Sequence, residues 1–258
     1  MPRVALLVTC LVDLVRPQAG FAALKLLENA GVTVMVPPQQ TCCGQPAYNS
    51  GDRKTARRIA RRVIESFEPF DRVVVPSGSC AGMLAKHYPD LFDVADPYRA
   101  RATALSGKTR ELTQYLVEIG AAARIDAEHD GAVAFHDSCS ALREMNSVDQ
   151  PRQLLRAVRG LSLRDLADTA ACCGFGGTFC VKYPEISNDM VTRKAADVVA
   201  TGASTLTSCD LGCLLNIAGK LARDGSAVRC FHVAEILAGT TDGPAIGETV
   251  AGAKAGEI

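Results

Sequence analysis

The triplet Cys42-Cys43-Gly44 returns as Cys172-Cys173-Gly174, and each copy sits in the same surroundings. Cys10 precedes Cys42 by 32 positions and Cys139 precedes Cys172 by 33; Cys80 follows Cys43 by 37 and Cys209 follows Cys173 by 36. Copy to copy, the offset is 129 or 130 residues throughout, and with Cys213 nine cysteines fall into two matched sets. Neighbouring cysteines do not readily cross-link, because a disulfide between them strains both the peptide and the sulfur torsion. They can instead place two thiolates on one side of a tight turn, where both reach one metal or two metals of one cluster. The glycine after each pair allows a backbone conformation closed to other residues and lets the loop pass close to a bulky group. Cysteine is also a common small buried hydrophobe, but packing alone does not call for a fixed repetition.

The repeat divides the 258 residues into two units. Residues 1–120 form the first cysteine-rich domain, 121–131 a linker and 132–239 the second domain, while 240–258, small and polar, is expected to be a disordered tail. Eleven cysteines are too many for a routine cytosolic enzyme and too unevenly placed for a disulfide scaffold. The N-terminus has no cleavage-site pattern, and no stretch is apolar and long enough to span a bilayer. The expectation is a cytoplasmic protein with its thiols free for metal. A formal net charge of zero gives no electrostatic case for nucleic acid. The basic run Arg53 to Arg62 reads as the solvated face of a helix whose apolar side includes Ala56, Ile59, Ala60, Val63 and Phe67.

Short apolar runs alternate with helical patterns, which predicts an α/β fold: two pseudo-repeated domains, each a small, mainly parallel sheet flanked by helices, with cysteine loops at the strand ends. Val4 to Val8, Val32 to Val36 and Asp71 to Val75 are the strands of the first half, and Cys10, the first pair and Cys80 follow them. Helices are expected over Pro17 to Ala30, with Phe21, Leu24 and Leu27 on one face, over Gly51 to Glu68 and over Glu111 to Ile119. The second half repeats the plan: strands at Ala132 to Phe135 and Ser204 to Thr207, helices at Pro151 to Val158, Pro184 to Ala200 and Val233 to Leu237, with Leu161 to Leu166 leading to the second pair and Val228 to Phe231 closing the domain. Gly174-Phe175-Gly176-Gly177 lacks the ending of a phosphate loop and suits close approach to a cluster better.

This double pattern resembles the cysteine-rich CCG domain family, which includes the heterodisulfide reductase B subunit and the iron–sulfur subunits of glycolate oxidase and anaerobic glycerol-3-phosphate dehydrogenase. His136-Asp137-Ser138-Cys139, the Cys173 to Thr178 loop and Ser79-Cys80-Ala81-Gly82-Met83-Leu84 are most similar to the lactate utilization protein A group, over about residues 3 to 239. The resemblance implies an iron–sulfur electron-transfer subunit of a complex that oxidises L-lactate to pyruvate. Its partners would be a ferredoxin-like iron–sulfur protein and a third subunit. It also implies two clusters, each in one CCG motif, of the non-cubane 4Fe-4S type in the heterodisulfide reductase case. The ligands carried over are Cys10, Cys42, Cys43 and Cys80, then Cys139, Cys172, Cys173, Cys209 and Cys213.

The chain departs from the family's Cys-x-x-Cys ending. The first half has only Cys80 there, with Ser77 or Met83 where a second cysteine would stand, and the second half puts three residues between Cys209 and Cys213. Zinc at one site, held by four thiolates without redox chemistry, is the competing reading, and a zinc-stabilised scaffold the competing function. A glycolate oxidase-like or heterodisulfide reductase-like redox subunit is the other alternative. With five cysteines in the second half against four in the first, Cys213 reads as a partial spare. His136 is a strand-end residue that orients the loop, or a group that donates to a cluster sulfur or takes a proton during turnover. Asp137 and Asp210 cap helices or serve catalysis; Cys180 and Cys230 read as packing residues.

Overall fold

Val4 to Leu6, Val73 to Val75 and Val133 to Phe135 are buried apolar runs, and strands buried on both faces favour a parallel sheet covered by helices on each side. A computed structural model describes residues 3–248. Its first half runs β1 (Val4–Leu6), α1 (Cys10–Val15), α2 (Pro17–Asn29), β2 (Val34–Met35), α3 (Gln45–Asn49), α4 (Arg53–Phe67), β3 (Arg72–Val75), α5 (Gly78–Gly82), α6 (Pro97–Lys108), β4 (Thr109–Glu111) and α7 (Leu112–Glu118). The second half runs β5 (Glu128–His136), α8 (Asp149–Leu155), β6 (Arg159–Asp165), α9 (Phe179–Lys182), α10 (Pro184–Ala200), β7 (Thr205–Ser208), α11 (Leu211–Arg223), β8 (Arg229–His232) and α12 (Val233–Ala238). Each half forms a four-stranded, all-parallel sheet, ordered β2-β1-β3-β4 and β6-β5-β7-β8. In such an order the chain turns opposite ways from the two central strands, and a crevice opens beyond their carboxyl ends.

Alternate residues of β1 serve different cores. Val4 and Leu6 belong to one cluster with Leu26, Leu27, Tyr115 and Leu116, and Ala5 lies in another with Ala60, Val63 and Phe67 of α4. The first cluster continues without a break into Phe135, Leu154, Leu155, Phe231, Ile236 and Leu237 of the second half. Helices α2 and α7 therefore share one apolar layer with α8 and α12, sandwiched between the two sheets. At roughly 1.5–3 kcal/mol for each fully buried Leu, Val or Phe, this shared layer is a large part of what holds the halves together. Charge adds a latch: Arg16, at the start of α2, donates to Glu235 of α12 at 2.7 Å and to the Pro244 carbonyl at 2.7 Å, with Glu235 fully buried.

Several expectations need correction. Strand β5 starts at Glu128, inside the segment read as a linker, because Glu128 to Gly131 extends the pairing to β6 across a register shift. Residues 240–248, expected to belong to a disordered tail, are docked: Ala245 and Ile246 are buried, and the Ile246 amide donates to Cys230 at 2.9 Å. Residues 249–258 of that tail lie outside the described residues. Strand β4 has no apolar run of its own and was not expected. The basic run is only partly a solvated face, since Arg53 and Arg57 donate to the carbonyls of Asp90 and Leu91 and Arg61 pairs with Asp96.

Between the halves lies one buried carboxyl with an unusual environment. Glu111 accepts bonds from the Thr113 amide and hydroxyl, the Gln114 amide and, from the other half, the Ser147 hydroxyl, while its Oε1 has no partner among the described residues. Burial, aided by the charge of Asp210, outweighs these bonds and pushes the carboxyl up to about 7. The folded state thus holds this proton more tightly than the unfolded chain does. The stabilisation is complete below the ordinary carboxyl range and is lost as pH rises towards about 7. Glu111→Gln keeps an acceptor for Thr113 and cannot ionise. Its melting temperature should gain on the wild type between about pH 5 and about pH 8, by the equivalent of some 3 kcal/mol at about 1.4 kcal/mol per pKa unit. Equal differences at both pH values in calorimetry would contradict this.

Candidate metal centre

The cysteines sit where chain geometry changes abruptly. Cys10 opens α1 just beyond β1, behind Thr9, whose φ of 71° is strained for a β-branched residue. The paired cysteines occupy tight turns closed by Gly44 and Gly174, both left-handed at φ 83° and 82°. A Cβ on Gly174 would lie 2.7 Å from the Ser187 carbonyl, so that turn requires glycine for space as well as conformation. The glycine amides also donate back to the first sulfur of each pair, Gly44 to Cys42 and Gly174 to Cys172, both at 3.4 Å. Cys80 lies in α5 directly after β3, its amide capped by the Ser77 hydroxyl.

Eight cysteines line a single cavity of about 350 Å³: Cys10, Cys42, Cys43 and Cys80 from one half, Cys139, Cys172, Cys173 and Cys213 from the other. The two halves pack so that α5 lies against the turn at Ala141–Met145, which follows Cys139, and α11 lies against α1, which opens with Cys10. The CCG loops meet at the rim, where the Ser50 and Thr178 hydroxyls are 3.2 Å apart. Cys209 is not among the lining residues; it is 1% exposed and lies behind them. Strand register explains why. Leu6 pairs with Val74 in the first sheet and Phe135 with Thr207 in the second, so four residues beyond Val75 and Ser208 respectively the chain has just passed Ser79 and Gly212. The structural counterpart of Cys80 is therefore Cys213, and that of Ser77 is Asp210. Cys213 occupies a place in the set that the sequence spacing assigned to Cys209.

The thiols form matched hydrogen-bonded chains. Cys10 donates to Cys42, with 3.7 Å between the sulfurs, and Cys43 also donates to Cys42, which drives the Cys42 thiol down to about 2. Cys172 is lowered to about 2 by Cys139 and Cys173 in the same way. The donors Cys10, Cys43, Cys139 and Cys173 are all raised, first by these same bonds. Cys213 is lowered to about 7, first by its bond with Cys173. Cys209 goes the other way: burial, then the charges of Glu111 and Asp210, hold it well above the ordinary thiol range. Thiolates at Cys42 and Cys172, beside thiols ready to release protons to a cation, make donor sets that fit soft metal.

The other sequence candidates divide by function. Asp210 caps no helix; its carboxylate accepts from the Ser77 hydroxyl at 2.7 Å, from the Ser79 amide and hydroxyl at 3.1 and 2.6 Å, and from Ser138. It thereby ties the Cys80 loop to the Cys139 loop across the cavity. Asp137 is held by the Arg152 guanidinium at 2.8 and 2.7 Å. His136 is buried, and one of its ring nitrogens lies within 4.8 Å of the sulfurs of Cys173 and Cys213. Cys230 packs in the core of the second half, and Cys180 is half-buried near the Gly177 carbonyl, 3.6 Å away. Sequence reasoning missed the inter-half pair of His87 with Glu144 at 3.0 Å and the role of His232, which caps α12 and contacts the Cys209 carbonyl at 3.0 Å. Neither residue has a local pattern that marks it.

Two parallel α/β units that point their cysteine-bearing strand ends at one cavity define a duplicated cysteine-rich protein whose thiols could hold metal. The chain belongs to the CCG cysteine-rich domain family, whose pattern matches it twice, over residues 4–85 and 133–218. Within that family it belongs with the lactate utilization protein A group. It is 44% identical over 235 residues to lactate utilization protein A of Macrococcus caseolyticus, covering 91% of this chain and 96% of that one. Against the Geobacillus kaustophilus protein of the same name the identity is 45%, covering 91% and 98%. No helix of the described residues is long and apolar enough to cross a membrane.

The thiol chains make a testable statement about the metal-free protein. At about pH 6 an ordinary thiol is almost wholly protonated, whereas Cys42 and Cys172, lowered to about 2, are thiolates. Both are half-buried rather than enclosed. Iodoacetamide at that pH should modify these two at least about tenfold faster than Cys10 and Cys139. Peptide mapping by mass spectrometry reads the order, and uniform labelling would refute it.

Proposed function

We propose that this chain is the iron–sulfur electron-transfer subunit of a complex that oxidises L-lactate to pyruvate. The observation that carries the reading is the convergence of two four-cysteine sets on one cavity, in a chain 43–45% identical to proteins named for lactate utilization. Cys10, Cys42, Cys43 and Cys80 would hold one group and Cys139, Cys172, Cys173 and Cys213 the other. Bound there, iron–sulfur groups would supply one-electron storage, which lactate oxidation needs because it releases two electrons and two protons.

The chain's own residues support carriage rather than lactate binding. Among the described residues that line the cavity, Asp210 is the one carboxylate, and with the thiolates of Cys42 and Cys172 it disfavours an anionic substrate. Leu11, Pro46, Phe175 and Leu211 exclude water from the sulfurs, and the Asp210 bonds hold the loops of both halves in place. Lactate itself would be oxidised on a partner subunit, with a ferredoxin-like iron–sulfur protein taking part in the transfer, in the cytoplasm. Vicinal cysteines favour a cluster over zinc, since a mononuclear tetrahedral site seldom takes adjacent residues.

Iron and acid-labile sulfide on anaerobically purified protein test the reading directly, and zinc without sulfide would refute it. Serine variants test the sets. Cys213→Ser should lose about half the iron, as Cys172→Ser and Cys80→Ser should, while Cys209→Ser should keep nearly all of it. Full retention in Cys213→Ser with loss in Cys209→Ser would reverse the assignment. In a strain without another lactate dehydrogenase, deletion should abolish growth on L-lactate and leave growth on pyruvate unchanged. Normal growth on lactate would point to another hydroxy acid, with glycolate the first to try.

A further inference from the structure

We propose that His136 is a nitrogen ligand of the metal group in the second cysteine set, so that this set binds through sulfur and nitrogen and the first through sulfur alone. The inference rests on the iron–sulfur reading given above and adds a ligand to it. His136 ends β5 and is 1% exposed, and among the described residues its ring nitrogens meet no oxygen or nitrogen partner, only the Cys213 thiol, which it helps to lower. An unmet buried polar atom costs about 1–3 kcal/mol, so an imidazole that meets only a thiol is poorly accounted for by packing. The groups flanking it in sequence are committed elsewhere, Asp137 to Arg152 and Ser138 to Asp210. What the ring does approach is sulfur: one nitrogen and the sulfurs of Cys173 and Cys213 all lie within 4.8 Å of one another, and all three residues are buried. Three such atoms can converge on one cation, and neutral imidazole suits iron.

The repeat supplies an internal control. Leu7 stands three residues before Cys10, as His136 stands three before Cys139, and Leu7 packs in the apolar cluster around α4. The same fold position thus needs no polar group for its structure, and the nitrogen is particular to the second set. A nitrogen ligand added to one group and not to the other makes the two groups differ in reduction potential.

The test uses the full chain, prepared anaerobically with its metal and labelled with 15N-histidine. Pulsed EPR of the reduced protein should show the strong coupling of a directly bound nitrogen, altered by the label and absent from His136→Leu. That variant copies the first half, and one of its two reduction steps should move while the other stays. If it fails to fold, the labelled wild type still decides, and His136→Gln serves as the second variant. Iron and sulfide present without histidine coupling, coupling only as weak as that of a nitrogen hydrogen-bonded to sulfur, or coupling that survives in His136→Leu would each overturn the assignment. Protein without acid-labile sulfide would instead sink the iron–sulfur reading, and this inference with it.

Discussion

The geometry of the cavity depends on the helical layer that the two sheets share. Because α2, α7, α8 and α12 bury their apolar faces in one cluster, the sheets cannot tilt relative to each other without opening that cluster to water. Each sheet carries its cysteines beyond the carboxyl ends of its central strands, the usual place for a ligand in an open α/β sheet. Fixing the two sheets back to back therefore fixes two donor sets face to face. The Arg16 to Glu235 pair reinforces the layer from its edge, and removing either partner alone would strand a buried charge at a cost of about 3–5 kcal/mol.

Within that frame the chemistry is set by short-range electrostatics. Four thiols in a half-closed space cannot all ionise, so Cys42 and Cys172 take the negative charge most readily and the thiols beside them donate to it. A cation reverses the balance by favouring every thiolate at once. Cys209 lies behind the cavity, and its burial first, then the charges of Glu111 and Asp210, keep it protonated.

Much of this was legible in the residues. The Cys-Cys-Gly repeat and the runs at Val4 and Val73 gave the parallel α/β plan, and the glycines after the pairs announced the left-handed turns that Gly44 and Gly174 adopt. What escaped was whatever depends on contacts between segments distant in sequence. Strand β4 is short and polar and is recruited by pairing with β3; its Glu111 signals a helix start equally well. Equal cysteine spacing suggested Cys209 as the mate of Cys80, but the loops before β3 and β7 differ in length, and spacing cannot see which residue the strand register brings round. Phe21, expected to face inward with Leu24 and Leu27, is 71% exposed, because the shared layer takes the neighbouring stripe of α2 instead.

Asp210 and Ser77 occupy corresponding places in the two halves, and they are bonded to each other. Two separate copies of a single repeat, meeting about an exact two-fold axis, would have to present the same residue from both sides. Aspartate facing aspartate would set two buried carboxylates against each other, and serine facing serine would leave the Ser79 amide without its charged acceptor. Joining the copies into one polypeptide removes that restriction. Covalent fusion here lets the two faces of the cavity become chemically different, a negative wall on one side and a row of hydroxyl donors on the other, as no symmetric dimer could.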